Sequence, residues 1–438
     1  MHSLLEEYTT FILMTSECCE FVKIEAEQID VIRFSNSVVR DNMMQINVKA
    51  TAILRQGNRI LELSFNALDK EHISALVKRA VIQLHHPDQA IPPMVAHKPF
   101  RHQHRERLPK RVFEDHDNSA RLQSILTGIQ QLSTDQLAFG ANAYNLRYIS
   151  VGHRGRGIKI GENRIYHLNV VIHGKDNASG NVSIASFSEF DSNHVESCFA
   201  KAIDRTVLDQ HKENLAPGKY TVLLEPKAFS SLISNSVSKA VSAKNVLKGR
   251  SFLSQKMGRP LFSDQLTIVD DCNSPQTQNF AFDLEGTQRQ KTALIENGVM
   301  KHVLTDLQTA KEMKIESTGH ASGDELKGPA PSGLTVSKGI VANEALIQST
   351  EEGLLISNFH YINNIDSKYQ FLTGTTRGGT YRIKNGRIVS AVQNMRFTED
   401  MIKVLNGIES LSSESETILT AYGSNHVPLA KINGFQLE

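Results

Sequence analysis

The sequence predicts an α+β fold in which a duplicated hairpin-plus-helix N-terminal region is followed by a β-rich C-terminal domain. Three observations carry that expectation. Residues 65–73 and 187–195 both read F-x3-D-x2-H followed by a branched apolar residue. An amphipathic helical pattern follows each copy, and such patterns become scarce after residue 216. Two Asn-Gly pairs, Asn297-Gly298 and Asn385-Gly386, separate short apolar runs in the C-terminal half. Asn-Gly tolerates positive φ at both centres of a two-residue hairpin turn.

The elements follow in chain order. In the first copy, Val48 to Leu54 and Ile60 to Phe65 flank the polar turn Gln56-Gly57-Asn58. The helix after it buries Ile73, Leu76, Val77, Ala80, Val81 and Leu84, at a spacing near the helical period. In the second, Leu168 to Ile172 and Val182 to Phe187 flank Gly174 to Gly180, and Val195, Cys198, Phe199, Ala202 and Ile203 form the apolar stripe. Asp69 and Asp191 suit the N-cap, where a side-chain oxygen accepts from amides left free at a helix start. These patterns divide the chain into an α+β unit at 1–84, a charged linker at 85–120, a second unit at 121–216 and the C-terminal domain at 217–438. One late helix is expected after Thr398, with Ile402, Leu405 and Ile408 on a face.

Bulk properties exclude several classes. At 438 residues the chain has room for two or three domains. Its formal net charge of +1 supplies no global field for nucleic acid or a membrane surface. No apolar run approaches the roughly 18 residues of a membrane helix. Met1 to Ser16 holds Glu6 and Glu7 and no Lys or Arg, the wrong charge for a secretory signal. Cys18, Cys19, Cys198 and Cys272 form no CxxC pair and read as reduced thiols, so a cytoplasmic location is expected.

Two histidine groups are candidate metal ligands. His72 and His194 fall in the first turn of each repeat helix, and solvent-facing residues inherited by duplication is the favoured reading, because neither has a ligand set. The linker holds His85, His86, His97, His102, His104 and His116 among Lys98, Arg101, Arg105, Arg107, Lys110 and Arg111. Metal or phosphate binding there lacks a Cys partner and a stacking platform, since Phe100 and Phe113 are the aromatic residues in the run. A solvated linker is favoured.

The C-terminal half carries the most informative motifs. The strand 218–226 leads into a helix expected from about Lys227 to Asn245, followed by the segment 251–258. Next come Leu266-Thr267-Ile268-Val269-Asp270-Asp271, Phe282-Asp283-Leu284-Glu285-Gly286, Leu294-Ile295-Glu296-Asn297-Gly298, Ser317-Thr318-Gly319-His320 and Tyr381-Arg382-Ile383-Lys384-Asn385-Gly386. In order and spacing these segments resemble the C-terminal domain of the TldD/PmbA (TldE) metallopeptidase family, with His320 in place of a usual Asn.

In the zinc-bearing TldD branch the helix carries HExxxH. Ungapped counting from either side places its two histidines and glutamate on Ser234, Asn235 and Lys239. A hydroxyl, a neutral amide and an ammonium are poor replacements for the ligands and base of a zinc hydrolase. TldD-type members also carry a Cys ligand near the C-terminus, and Thr420 to Ser424 contains none. The resemblance therefore points to the PmbA/TldE branch. It implies a pseudoenzyme role: a non-catalytic, cytoplasmic subunit of a dimer that completes a peptide-binding chamber for proteolysis or precursor-peptide processing. The implied partner is a TldD-type chain, or a second copy of this one. No cofactor is expected here, zinc belonging to a TldD-type partner. Asp270, Asp271, Asp283, Glu285 and Gly286, with Arg377 and Gly378 in the Gly374–Gly379 loop, are implied to shape the cleft or the subunit interface.

Two enzyme-like alternatives come from the residues themselves. Ser236-Val237-Ser238-Lys239 matches SxxK, in which Ser236 would be a nucleophile and Lys239 its base, though no SDN or KTG element accompanies it. The acids around 270–285 could serve acid–base chemistry, but Asp-Asp at a strand end and D-x-E before Gly are also common turn chemistry. The loop Gly152–Gly161 is basic and glycine-rich, matching neither the P-loop nor the dinucleotide fingerprint, and reads as a turn. A nucleic-acid role, suggested by the label "modulator of DNA gyrase" attached to this family, is disfavoured by the net charge.

Overall fold

The computed structural model describes residues 1–66, 68–85, 94–95, 118–188, 192–323, 328–366, 368–420 and 423–438. Most of the linker histidines and bases, together with Asp191, Ala421 and Tyr422, lie outside the described residues.

The N-terminal half runs α1 (His2–Met14), β1 (Cys19–Ser35), β2 (Val38–Gln56), β3 (Arg59–Phe65), α2 (Lys70–His85), β4 (Met94–Val95), α3 (Asn118–Gln130), β5 (Leu137–His153), β6 (Gly157–His173), β7 (Ser179–Ser186) and α4 (Ser192–Leu208). Both copies of the hairpin-plus-helix unit are present, as β2–β3–α2 and β6–β7–α4. Their strands are longer than the sequence pattern suggested, because β1 and β5 insert between the copies and pair along their whole length. The result is an antiparallel ladder ordered β3-β2-β1-β5-β6-β7.

The helices cover one face of this ladder. Ile73, Leu76, Val77, Ala80 and Leu84 of α2 join one core with Leu5 and Ile12 of α1. Val195, Cys198, Phe199 and Ala202 of α4 join a second with Ile125 of α3. Asp69 caps α2 as expected, accepting from the His72 amide at 2.8 Å. His72 is half-exposed and His194 exposed. The four cysteines form no disulfide, and burial pushes the thiols of Cys19 and Cys198 up to about 11.

The C-terminal half adds β8 (Lys212–Glu213), β9 (Gly218–Leu224), α5 (Pro226–Asn235), α6 (Val237–Ala240), α7 (Ala243–Leu247), β10 (Ile268–Asp270), β11 (Thr292–Glu296), β12 (Val299–Met300), α8 (Leu307–Met313) and β13 (Gly333–Val336). It continues with α9 (Asn343–Gln348), β14 (Glu352–Ile356), β15 (Phe359–Asn364), β16 (Phe371–Thr376), β17 (Thr380–Lys384), β18 (Arg387–Val392), β19 (Arg396–Asp400), α10 (Met401–Asn406), β20 (Ile408–Leu419) and β21 (Ser424–Leu437). Strand is the dominant structure, as the texture of the sequence suggested. Both Asn-Gly pairs form hairpin turns with positive φ at each centre. The late helix is shorter than its apolar pattern, since Ile408 already opens β20.

β9 lies between β14 and β21, so the strand that feeds α5 is central and its Val222, Leu223 and Leu224 are fully buried. Ala228, Phe229, Leu232 and Ile233 of α5 sink into the same core as Ile432 and Phe435 of β21. The two halves meet where Phe280 and Phe282 pack on Ile149 and Val151 of β5, and where Thr417 of β20 pairs with Ala185 of β7. Among the described residues no helix is long and apolar enough to cross a membrane.

Candidate functional site

The single helix expected over about 227–245 is three short ones, α5, α6 and α7. The break has a local cause. Ser, Asn and Ser at 234–236 compete with the helix through their side chains. Asn235 Nδ2 donates to the Ser231 carbonyl at 3.0 Å, and Ser236 Oγ donates to the Leu232 carbonyl at 2.6 Å. Ser236, which ends α5, is displaced from ideal helical angles, with φ −113 and ψ −79. A second stop follows at Ser242, where the backbone turns to pair with Leu304.

The three sequence-aligned positions do lie together on this broken segment. Ser234 Oγ accepts from Asn425 Nδ2 at 2.9 Å, and the same amide reaches Ser230 Oγ at 3.0 Å. Lys239 Nζ donates to Asn235 Oδ1 at 3.3 Å and stands 5.5 Å over the ring of Tyr369. Loss of water around the Lys239 ammonium holds its pKa below the ordinary lysine value.

This donor set does not fit zinc. It offers a hydroxyl, two neutral amides and an ammonium, where the metal takes thiolate, imidazole or carboxylate. Among the described residues no group of three or more His, Cys, Asp or Glu is placed to hold a metal. The SxxK pair is not assembled either. Ser236 is fully buried with its proton given to Leu232, and Lys239 bonds Asn235 instead.

The other candidates occupy separate places. Asp270 is buried and accepts from His320 Nε2 at 3.1 Å, from the Ser332 hydroxyl at 2.5 Å and from the Ser332 amide at 2.7 Å. Burial acts to raise its pKa, but these bonds and the His320 ring outweigh it and hold the carboxyl below its ordinary value. Asp283 accepts from the amides of Glu285, Thr287 and Ala321. Both acids therefore serve as acceptors that shape turns. Asp271 forms an exposed-side ion pair with Lys291 at 3.2 Å. Glu285 and Gly286 meet the β5–β6 hairpin through His153 and Lys159. Arg377 bonds the His360 ring, and Gly378 approaches Asn181. The basic loop Gly152–Gly161 is that same hairpin, with Arg154 committed to the carbonyls of Leu13, Ser16 and Cys19.

Sequence reasoning missed a cluster at the start of α5. Glu225 is the N-cap residue, well placed for a carboxylate at the positive end of a helix. Arg205 of α4 donates to both its oxygens, one at 2.6 Å, and Lys201 lies 3.7 Å away. Burial acts to raise the Glu225 pKa, while Arg205 and Lys201 more than offset it, so the carboxyl sits below its ordinary range. Lys227 donates to Asn181 at 3.1 Å, and burial first, then Arg205, lower its pKa. A Glu-Pro at a helix start is a legible signal for an acidic cap. Its partners come from the other half of the chain and left no local trace. Asn425 follows directly on Thr420 to Ser424, the stretch in which the resemblance sets a C-terminal ligand.

The sequence model of the PmbA/TldA metallopeptidase C-terminal domain matches residues 217–438. A metalloprotease of Methanocaldococcus jannaschii is 26% identical over 204 residues, covering 45% of this chain and 44% of that protein. The chain thus matches less than half the length of this curated relative. The crystal structure of TldE from Thermococcus kodakarensis aligns over 100% of this chain and 99% of its own, with a TM-score of 0.80 at 17% identity. A Thermotoga maritima structure described as a modulator of a DNA gyrase aligns over 100% of both chains, with a TM-score of 0.76 at 15% identity. These two structures share the fold. With the C-terminal domain matched over half the chain and the motifs in register on it, the protein belongs to the PmbA/TldD metallopeptidase family.

Proposed function

We propose that this chain is a PmbA/TldE-like subunit that binds an extended peptide and completes a chamber with a TldD-type subunit or with a second copy of itself. It contributes walls and main-chain hydrogen bonds to proteolysis or precursor-peptide processing, and has no hydrolytic site of its own. The observation that carries this reading is the donor set on the broken helix. Ser234, Asn235 and Lys239 offer neither a zinc ligand nor a base, and Asn425 ties Ser234 to the last strand. An extended peptide can still be held, since pairing to a strand edge uses backbone groups and demands no particular side chain. The protein carries no cofactor in this reading, and zinc resides in a TldD-type partner.

The test is peptide cleavage by the purified protein alone and after mixing with a TldD-type chain bearing intact HExxxH, alongside metal analysis of each. The expected outcome is no cleavage and no stoichiometric zinc alone, with cleavage in the mixture. Chelator-sensitive cleavage by the isolated protein overturns the reading.

A further inference from the structure

Between residues 231 and 240 of the broken helix four side chains, Ser231, Ser234, Asn235 and Lys239, are partly exposed, while Leu232, Ile233, Ser236, Val237, Ser238 and Ala240 are buried. Lys239 is the one that carries a charge. An ammonium has three N–H donors and no acceptor. One donor goes to Asn235 at a long 3.3 Å, and the charge faces the Tyr369 ring. Among the described residues no carboxylate pairs with it, and no acidic group offsets its loss of water. Lys227, at the start of α5, is also held below the ordinary lysine value by burial, but it bonds Asn181 and faces Arg205. The more deeply enclosed Arg205 and Lys431 are paired with Glu225 and Glu409. A cation that has given up part of its water without gaining an anion is disfavoured, and an arriving anion offsets that loss.

We propose that Lys239 receives the C-terminal carboxylate of an extended peptide, so that a fixed positive side chain holds the end of the substrate. The inference rests on the peptide-binding reading above. A terminal carboxylate is the one anion that every linear peptide with a free end carries. Its capture requires no sequence preference, which matches recognition through the main chain. Ser234 stands on the same face. Its oxygen accepts from Asn425, which leaves its proton as a second donor for the same group.

The experiment uses the full chain and three fluorescent peptides of one extended sequence. The first has a free C-terminus, the second is amidated, and the third is amidated with a single internal glutamate. Binding is read by anisotropy for the wild type, Lys239→Met and Lys239→Arg. The wild type is expected to bind the free acid about ten-fold or more tightly than either amide. Lys239→Met removes that preference, and Lys239→Arg keeps most of it. Equal binding of acid and amide by the wild type overturns the inference and leaves the peptide-binding reading standing. Binding of the glutamate peptide as tightly as the free acid overturns the terminal assignment. No binding of any peptide defeats both. Should Lys239→Met fail to fold, the wild-type comparison of the peptides decides alone.

Discussion

Asn425 of the last strand donates to Ser234 of α5 at 2.9 Å, which joins the C-terminal strand to the helix face on which the resemblance sets the HExxxH positions. That contact fixes which four residues would have to change together. The variant combining Ser234→His, Asn235→Glu, Lys239→His and Asn425→Cys is expected to retain about one zinc per chain after dialysis. Lys239→His alone is expected to retain none, because a single imidazole is no site. Plasma mass spectrometry of the dialysed proteins checks both.

The pairing of Arg205 with Glu225 holds α5 to the N-terminal half, with both side chains largely enclosed. Glu225→Ala leaves Arg205, Lys201 and Lys227 as neighbouring cations, and is expected to cost about 3–5 kcal/mol in urea unfolding. The pH dependence follows from the same pair. The Glu225 pKa lies below its ordinary 4.5 in the folded protein, so the pair contributes fully above that value. Its contribution is lost as pH falls through the lower folded value. Glu225→Gln should be less stable at neutral pH and should lose less stability on acidification. Unfolding curves at neutral and acidic pH read both changes.

Ser236→Ala tests the enzyme-like reading of the helix. Its hydroxyl is buried and bonds the Leu232 carbonyl, so removal should cost about 1 kcal/mol or less. Peptide processing in the presence of a TldD-type partner should continue unchanged. Abolished processing with intact stability would restore a nucleophilic role to this serine.

Gly298 tests the hairpin turn. Its φ is +76, and a Cβ built on it would stand 2.3 Å from the Phe262 carbonyl oxygen. Gly298→Ala is expected to destabilise by about 1–3 kcal/mol, measured as a lowered urea midpoint. Gly57, which also has positive φ but nothing within 4 Å, should tolerate alanine better.

The fold was largely legible because its signals are local and periodic. The repeat, the capped helix α2 and the two Asn-Gly turns each arise from neighbours in sequence. The motif order placed Ser234, Asn235 and Lys239 on one segment. The helix break was not read, although Ser234, Asn235 and Ser236 announce it, because the apolar stripe of Phe229, Leu232, Ile233, Val237 and Ala240 continues through the break. The partners of Glu225 and Ser234 were invisible for a different reason. Arg205 lies 20 residues upstream of Glu225, and Asn425 lies 191 residues downstream of Ser234. Long-range pairings of this kind are decided by sheet topology, which single-sequence periodicity does not encode. The acids at 270–285 resolved into acceptors for amides, as their turn-like spacing allowed.

The rung between Ala185 and Thr417, together with the aromatic seal of Phe280 and Phe282, makes the family-matched region an unsuitable fragment for isolation. Begun at residue 217, it would lose the arginine that steadies the first turn of α5 and would bare two phenylalanines to water. The first turn of that helix is thus held by residues that lie outside the family-matched region, Asn181 and Arg205. Substitutions at either would act on the helix without altering any of the C-terminal motifs.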